Sequence, residues 1–399
     1  MSYQMPQPLK LPFWGGERII LKRDAMLIRV TSDKGLKGYA PGPAHERAAN
    51  EINGEIRAFL NGKDARLWDS FNFQSAPETV NTYRSVEIAL LDLVARYEGC
   101  PVSELIGGRI RNNIKLYGSA GMYMAPEKYA EEAAAISAMG FPAYKMRPGI
   151  GPENDLLTIE LMRKATSADF GIMVDAHTWW RMGNRSYDYD TIVQLITDMA
   201  IYDPLWLEEP LPPDDHDAYR RLNTRSKIKL ASGEHEPDMV GFQDLINSKS
   251  VDFIQMDILC QGGYKRASEI FSEVQKQGLR FAFHSWGTAL EVLAAAHIGI
   301  CWPENVVEWL EYPCYTNEDQ PGMYPFPLAN EILKELPEIT NGYLNIPNEP
   351  GLGIEINENV IEKYPFIPGP WSIFHLESPV ETIAVTGDHS IKWIDRSDI

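Results

Sequence analysis

The 399-residue sequence is poor in cysteine, in basic residues and in long apolar runs. Its four cysteines, at 100, 260, 301 and 314, form no Cys-x-x-Cys pair, which argues against a disulfide framework or a zinc ribbon. With 37 basic and 56 acidic residues, the net charge of −19 disfavours a nucleic-acid partner. No stretch approaches the roughly 18 apolar residues of a membrane span, and no signal-peptide pattern is present. We therefore expect a reduced, cytoplasmic protein without a membrane partner.

The first part of the chain predicts a small α+β domain. The apolar runs 18–21 and 26–30 alternate as strands do and are separated by charged residues, which predicts an antiparallel hairpin. From Val86 the apolar positions follow helical spacing, and Gly99 ends that helix. We assign residues 1–114 to this N-terminal domain.

The rest of the chain predicts a parallel barrel followed by a tail. Over residues 115–328, short apolar strands alternate with amphipathic helices, the pattern of right-handed β-α-β units. The tail, residues 329–399, is rich in turn-forming residues, and we expect it to pack back on the N-terminal domain. The predicted fold class is α/β, a modified TIM (β/α) barrel with an α+β capping domain built from the N-terminal region and the C-terminal tail.

Seven apolar runs of the predicted barrel each end in ionisable side chains. The runs follow one another at intervals of 23 to 33 residues, close to the roughly 30 residues of a strand-helix unit in an eightfold barrel. Charged groups at the C-terminal ends of parallel strands converge on the mouth of a barrel, where its active site lies. The pattern therefore predicts a metal-dependent barrel enzyme. The residues concerned are Lys145 with Arg147, Asp175, Glu208, Glu234, Asp257, His284 and Glu308.

Asp175, Glu208 and Glu234 end three successive runs and form the predicted metal site. Three carboxylates held close together repel one another unless a cation lies among them. Oxygen-only ligands suit octahedral Mg²⁺ better than Zn²⁺. Any one of them could instead form a salt bridge at the barrel rim, but three in phase favour a metal. Glu209 follows Glu208 directly, so one of these two side chains must point away from the other on a strand.

His284 and Asp257 end adjacent runs and are predicted to form an acid–base pair. A carboxylate beside a histidine fixes the imidazole tautomer and raises its basicity, so we expect His284 to be the base and Asp257 to orient it. Lys145 and Arg147 are two residues apart and share one face of their strand. The guanidinium of Arg147 suits a substrate carboxylate. Alternatively, both cations neutralise the rim carboxylates.

The order and spacing of these motifs resemble the enolase superfamily and, within it, the mandelate racemase-like subgroup. The resemblance implies a capping domain over a modified barrel, Mg²⁺ on the three carboxylates, and abstraction of the proton α to a substrate carboxylate to give an enediolate. It extends over almost the whole chain. The matching motifs are Lys145-Met-Arg147, Val174-Asp175, Trp206-Leu-Glu208-Glu209-Pro210, Gly233-Glu234, Asp257 with Gly262-Gly263, His284, and Glu308-Trp309-Leu310.

His177 narrows the resemblance to sugar-acid dehydratases. It follows Asp175 at strand spacing, so the two share a face. This Asp-x-His arrangement resembles galactonate and mannonate dehydratases, where the matching histidine is the general acid, and the segment 208–215 followed by Gly-Glu-His-Glu resembles rhamnonate dehydratases. The implied reaction is that of a hydro-lyase, which turns a sugar acid (an aldonate) into a 2-keto-3-deoxy acid. Alternatively, His284 serves as both base and acid.

Other activities remain open at this stage. Arg147 stands where racemases and several two-base relatives carry a second lysine, which weakens a racemase or epimerase reading. A cycloisomerase using Lys145 and His284 from opposite faces, with a ring oxygen as leaving group, is the main alternative, and a catalytically silent scaffold is the non-enzyme one. The expected partner is a small-molecule sugar-acid carboxylate, bound under the loops 14–17 and 42–47, and the protein is expected to be a homo-oligomer. Barrel-side walls are expected from Trp179, Trp180, Arg181 and Trp286.

Overall fold

The computed structural model describes residues 1–316, 320 and 322–386, so the predicted tail is described only as far as residue 386. The strands are β1 Ser2–Phe13, β2 Gly16–Asp24, β3 Met26–Thr31, β4 Lys37–Gly42, β5 Asn113–Met122, β6 Ala143–Arg147, β7 Gly171–Asp175, β8 Trp206–Glu208, β9 Leu230–Ser232, β10 Phe253–Asp257, β11 Arg280–His284, β12 Val307–Pro313, β13 Ile339–Thr340, β14 Tyr343–Asn345, β15 Ser372–Glu377 and β16 Val380–Val385. The α-helices are α1 Glu46–Glu51, α2 Arg57–Leu60, α3 Pro77–Glu98, α4 Val102–Leu105, α5 Pro126–Ala138, α6 Pro152–Ala165, α7 Tyr189–Met199, α8 His216–Asn223, α9 Met239–Ser248, α10 Gly263–Gln277, α11 Ala289–Gly299, α12 Pro327–Glu331 and α13 Val360–Lys363. No helix in this part of the chain has the length and apolar character needed to cross a membrane.

The capping domain pairs its strands differently from the predicted hairpin. β2 lies between β1 and β15 and is antiparallel to both, whereas β3 pairs with β4. Only Ala25 separates β2 from β3, and the tightest common hairpin loop has about two residues, so the strands cannot fold back on each other. The hairpin prediction is therefore wrong. The charged residues 22–24, interpreted as a turn, lie inside β2.

Helix α3 connects the capping domain to the C-terminal segment. It ends at Gly99 with φ of 73°, a left-handed conformation that costs glycine little, as the sequence predicted. The buried carboxylate of Asp92 accepts hydrogen bonds from the backbone of Tyr39 at 2.8 Å and of Leu352 at 2.7 Å. One side chain therefore joins α3 to β4 and to the chain beyond the barrel.

Strands β5 to β12 form a closed parallel barrel, because β12 pairs in parallel with both β11 and β5. The antiparallel sheet β1-β2-β15-β16 forms the cap, and the predicted fold class is confirmed. The barrel interior is filled by a mixture of large aromatic and small side chains, as expected for a packed core. Trp206 is fully buried there, with its ring 4.9 Å from Phe253 and 5.4 Å from Tyr117. This plug layer consists of Tyr117, Ala143, Met173, Trp206, Ala231, Phe253, Ala282 and Trp309.

The plug layer determines which polar side chains reach the barrel mouth. Residues i and i+2 of a strand share a face, so the residue two positions after each plug residue occupies the next inward level. Most of these residues are polar or charged, although the plug layer beneath them is apolar. They are Ser119, Lys145, Asp175, Glu208, Gly233, Gln255, His284 and Glu311.

A histidine outside the barrel mouth should make stability depend on pH. His297 of α11 is fully buried, and its Nε2 donates to the carbonyl oxygen of Leu352 at 3.1 Å. Burial lowers the pKa of His297 from 6.5 to about 4. Because this folded-state pKa lies below the unfolded one, the contribution to stability is complete above pH 6.5 and is lost as pH falls toward 4. The loss amounts to about 3 kcal/mol.

The variant His297→Gln keeps an N–H group for Leu352 but does not titrate. We therefore expect its melting temperature to fall less than that of the wild type between pH 7 and pH 4.5. Equal pH dependence of the two melting curves would contradict the assignment.

Candidate active site

The ammonium group of Lys145 lies at the centre of the barrel mouth. Its Nζ is 2.6 Å from Glu208 Oε1, 3.0 Å from Glu311 Oε1 and 3.7 Å from Asp175 Oδ2. Burial alone would lower the pKa of Lys145, but Glu208, Glu311 and Asp175 raise it well above its usual value. These carboxylates therefore hold the fully buried side chain as a charged donor.

Both oxygens of Asp175 are engaged by cationic or ring groups. Arg147 Nε donates to Oδ2 at 2.7 Å, and the guanidinium stacks 3.5 Å from the centre of the Trp286 ring. His177 Nδ1 lies 2.5 Å from Oδ1. Burial lowers the pKa of His177 to about 4, and Asp175 acts in the opposite sense. The structure thus brings Arg147 and His177 onto one carboxylate.

Glu208 shares its two oxygens between Lys145 and the barrel interior. Its Oε2 accepts hydrogen bonds from Trp206 Nε1 at 3.1 Å and from Gln255 Nε2 at 2.7 Å. Burial raises the pKa of Glu208 to about 8, and Lys145 opposes that shift. Gln255 was not identified from the sequence, although a single amide inside an apolar run is an available signal.

Asp257 and His284 lie directly opposite each other on β10 and β11. Asp257 Oδ2 is 3.0 Å from His284 Nδ1, and its Oδ1 accepts from the backbone of Leu259 at 2.7 Å. His284 Nε2 faces Glu234 Oε2 at 3.4 Å. Burial would lower the pKa of His284, but Glu234, Glu311 and Asp257 raise it well above 6.5. The carboxylate fixes the ring and leaves Nε2 turned toward the centre of the mouth.

Glu308 does not reach the site, which corrects its inclusion among the catalytic residues. Its carboxylate pairs with Arg280 at 2.6 Å and approaches Lys115 at 3.8 Å, both near the starts of their strands. β12 continues to Pro313, so Glu308 lies near the beginning of that strand and at the opposite end of the barrel from the mouth. Glu311 occupies the inward position instead, because it follows the plug residue Trp309 by two.

Three carboxylates at the mouth could hold a divalent cation. Asp175 and Glu208 are opposite each other on β7 and β8, and Glu234 follows β9. Glu234 Oε2 is buried and accepts no hydrogen bond from the described residues, with His284 Nε2 3.4 Å away. A set of carboxylate oxygens with one such oxygen fits a hard cation such as Mg²⁺. Lys145 contacts the first two carboxylates and reduces their mutual repulsion.

A second acidic cluster contains Glu209, Glu234 and His235, whose candidate ligand atoms lie within 4.8 Å of one another. His235 Nδ1 is 2.7 Å from Glu209 Oε2, and its Nε2 is 3.1 Å from Arg181 Nη2. An arginine can only donate, so Nε2 accepts and the proton sits on Nδ1. Glu209 and Arg181 thus engage both ring nitrogens of His235, which leaves neither nitrogen for a metal ion. The backbone φ of Glu209 is 41°. Its side chain contacts His235, whereas the side chain of Glu208 contacts Lys145.

Asp155, which the sequence did not single out, ties together two loops at the mouth. Its Oδ1 accepts from the backbone of Gly149 at 2.9 Å and of Ile150 at 3.0 Å. Its Oδ2 accepts from Trp179 Nε1 and from Tyr187 Oη, both at 2.8 Å. The loops after β6 and β7 are therefore held by one buried carboxylate.

The first expected capping loop, residues 14–17, contacts the barrel. Trp14 N donates to Gly149 O at 2.8 Å, and the guanidinium of Arg185 lies 5.0 Å from the Trp14 ring. In the second, residues 42–47, His45 caps helix α1.

Fold and site together define a barrel enzyme with acid–base and carboxylate groups at the C-terminal mouth. A family model described as "Enolase C-terminal domain-like" matches residues 128–360. The chain belongs to this family and is an enzyme of the enolase superfamily.

Relatives with named activities fall into two reaction types. D-galactarolactone cycloisomerase of Agrobacterium fabrum is 28% identical over 382 residues, covering 91% of this chain and 97% of the relative. D-gluconate dehydratase of Thermoproteus tenax is 25% identical over 368 residues, covering 85% of this chain and 69% of the relative. Among solved structures, the 3,6-anhydro-D-galactonate cycloisomerase from Zobellia galactanivorans has a TM-score of 0.72 and 26% identity, covering 91% of this chain and 99% of that one. The chain is similar to all three.

Substitution of each of the two glutamates of β12 should lower stability by different amounts, because Glu311 lies in the buried site and Glu308 at the opposite end of the barrel. Glu311→Gln removes a charge partner from buried Lys145, and we expect it to cost about 3 kcal/mol of stability. Glu308→Gln breaks a partly exposed pair and should cost less than about 1 kcal/mol. Urea unfolding of both variants measures the difference. Equal losses would contradict the assignment of Glu311 to the central network.

Proposed function

We propose that the protein is a Mg²⁺-dependent sugar-acid dehydratase. The observation that supports this most directly is the Asp257–His284 pair, in which Asp257 holds Nδ1 and Nε2 faces Glu234 at the barrel mouth. In the proposed reaction the C–H bond α to the substrate carboxylate breaks and the proton passes to His284 Nε2. The β carbon–oxygen bond then breaks, water leaves, and the resulting enol becomes a 2-keto-3-deoxy acid.

Asp175, Glu208 and Glu234 are the residues proposed to hold Mg²⁺, in keeping with their oxygen ligands and with the buried Glu234 oxygen that accepts no hydrogen bond from the described residues. When bound, the ion would stabilise the negative charge of the enediolate and offset the carboxylates that raise the pKa of His284. Lys145 and Arg147 keep these carboxylates in place.

His284 is a better candidate for the base than Lys145. The side chain of His284 is 16% exposed, whereas that of Lys145 is 0% exposed and paired with Glu208 and Glu311. A base must reach the proton that it removes. This difference supports chemistry with one base, and it weakens a cycloisomerase or racemase that removes protons with Lys145 from the opposite face.

His177 is the proposed general acid for the departing hydroxyl. Its Nδ1 is held by Asp175, so Nε2 is the nitrogen left for the substrate. Asp175 favours the protonated ring and burial opposes it. Donation from Nε2 requires the ring to carry both protons, so the role depends on Asp175 prevailing when substrate is bound.

A cycloisomerase is the second candidate, supported by the 28% identity to a relative with that named activity. The same base could remove the α-proton while a ring oxygen, rather than hydroxide, leaves. The leaving group then stays attached to the product. The two candidates therefore differ in whether water is lost.

Product mass distinguishes these reactions. We expect incubation with sugar acids and Mg²⁺ to give a 2-keto product lighter than its substrate by one water, and we expect excess chelator to stop its formation. The same experiment with lactones and anhydro-sugar acids tests the second candidate. A keto product of unchanged mass would replace the dehydratase proposal with the cycloisomerase.

Two histidine variants should separate the proton transfers. His284→Asn keeps much of the shape but removes the basic nitrogen, so we expect a loss of roughly 10² to 10⁴ in both dehydration and α-proton exchange with deuterium oxide. His177→Asn should stop dehydration yet leave exchange measurable. Wild-type dehydration by His177→Asn would show that the acid is another group, with His284 itself the first alternative.

A further inference from the structure

Two arginines of the capping domain are buried against the barrel mouth and have no acidic partner among the residues that the structure describes. Arg18 and Arg23 are 8% and 3% exposed, and in the described part of the chain neither forms an ion pair with a carboxylate. Arg18 donates to Ser372 Oγ at 3.0 Å and to Met122 Sδ at 3.4 Å. Arg23 Nη2 donates to Met323 Sδ at 2.8 Å. Thioether sulfur is a weak acceptor, so these guanidiniums are poorly satisfied.

Contacts with aromatic rings stabilise the buried charges of Arg18 and Arg23 only in part. Arg18 lies 4.9 Å from the Trp371 ring and 4.7 Å from the Phe374 ring. Arg23 lies 4.8 Å from the Tyr324 ring and 5.2 Å from the Trp371 ring. Such contacts contribute about 2 kcal/mol at best, less than the several kcal/mol that burying an ion costs. Consistent with this, burial lowers the pKa of both arginines, that of Arg18 to about 10.

A bulge in β2 directs both arginines toward the barrel. Alternation would place residues 18 and 23 on opposite faces of a regular strand. The backbone N–H groups of Leu21 and Lys22 both donate to Trp371 O, at 2.9 and 3.4 Å. Two residues of β2 therefore lie opposite one residue, Trp371, which directly precedes β15. This extra residue places the side chains of Arg18 and Arg23 on the same face of β2.

Two further buried polar atoms lie near these guanidinium groups. Arg23 Nε and Tyr315 Oη are buried and have no hydrogen-bond partner within residues 1–316, 320 and 322–386. The Tyr315 ring lies 6.0 Å from the Trp286 ring, on which Arg147 stacks, and 6.3 Å from the Tyr324 ring, which Arg23 contacts. Arg147 is paired with Asp175, whereas Arg18 and Arg23 have no carboxylate partner in the described part of the chain.

These groups adjoin the proposed catalytic site. Met122, which accepts from Arg18, lies opposite Arg147 on the neighbouring strand. The Tyr324 ring, next to Arg23, is 4.6 Å from the Trp286 ring, and Arg147 stacks on Trp286 at 3.5 Å. A ligand that reaches the barrel mouth could therefore extend to the arginines.

We propose that Arg18, Arg23 and Tyr315 bind a second carboxylate at the far end of the substrate, so that the substrate is a sugar diacid rather than an aldonate. The proposal rests on the proposed function for the reacting end of the substrate. A carboxylate matches the fork of a guanidinium and would supply the anion that both buried arginines lack.

The test compares acids that differ only at the far end, namely galactarate with galactonate and glucarate with gluconate. Each acid is added at equal concentration with Mg²⁺, and the change in melting temperature and any turnover are measured. Ligand binding to the folded state raises the melting temperature according to its affinity. We expect at least one diacid to bind, or to be turned over as judged by kcat/KM, roughly 30-fold better than its monoacid.

Variants assign that preference to the arginines. Arg23→Met keeps an apolar stem beside the aromatic rings, and we expect it to lower the diacid-to-monoacid ratio from roughly 30-fold to about threefold or less. Arg23→Lys should retain part of the preference. The control is Arg29→Met on β3, whose side chain is 48% exposed and pairs with Glu358 at the surface, and it should keep the full preference.

The outcomes separate this proposal from the proposed function. Diacids that bind better than monoacids through Arg23, without turnover of any acid, support the carboxylate site and overturn the dehydratase. Dehydration of a monoacid with no diacid preference supports the dehydratase and overturns the carboxylate site. Absence of binding by every diacid in the wild type also overturns it, whatever the variants do.

Discussion

The buried ammonium of Lys145 is the interaction on which the barrel mouth depends. Glu208, Glu311 and Asp175 surround it within 3.7 Å, and none of these groups could be buried with its charge unless the others were present. Arg147 adds a second positive charge on Asp175. The two cations thereby hold the carboxylates close together and oppose the rise in carboxylate pKa that burial causes, which favours a cation site facing the histidine base.

The packing below the mouth sets the geometry above it. Trp206 fills the barrel interior, and its indole N–H donates to Glu208, so the apolar plug and the charged level are joined by a hydrogen bond. On each neighbouring strand, the residue two positions after the plug residue likewise points inward and lies at the charged level. Asp155 fixes the adjoining loops in the same way, through four donors on one carboxylate.

The capping domain contributes charge as well as cover. Its arginines lie on β2, a strand held between β1 and β15, so the C-terminal segment takes part in positioning them. If the dehydratase proposal holds, the barrel supplies the groups for proton transfer and the cap supplies recognition of the remote end. A substrate would then contribute to holding the two domains together, because its far carboxylate neutralises arginines that have no acidic partner among the described residues.

The sequence by itself determined the barrel, the helix ending at Gly99 and the phase of the ionisable groups, because strand and helix periods and the cost of buried charge are local properties of the chain. It did not determine that β2 pairs with β15, since that pairing joins residues more than 350 positions apart. Nor did it separate Glu308 from Glu311, since that distinction depends on where β12 begins in the barrel. The environment of Arg18 and Arg23 was likewise set by tertiary structure, through a bulge and a neighbouring domain that no local pattern encodes.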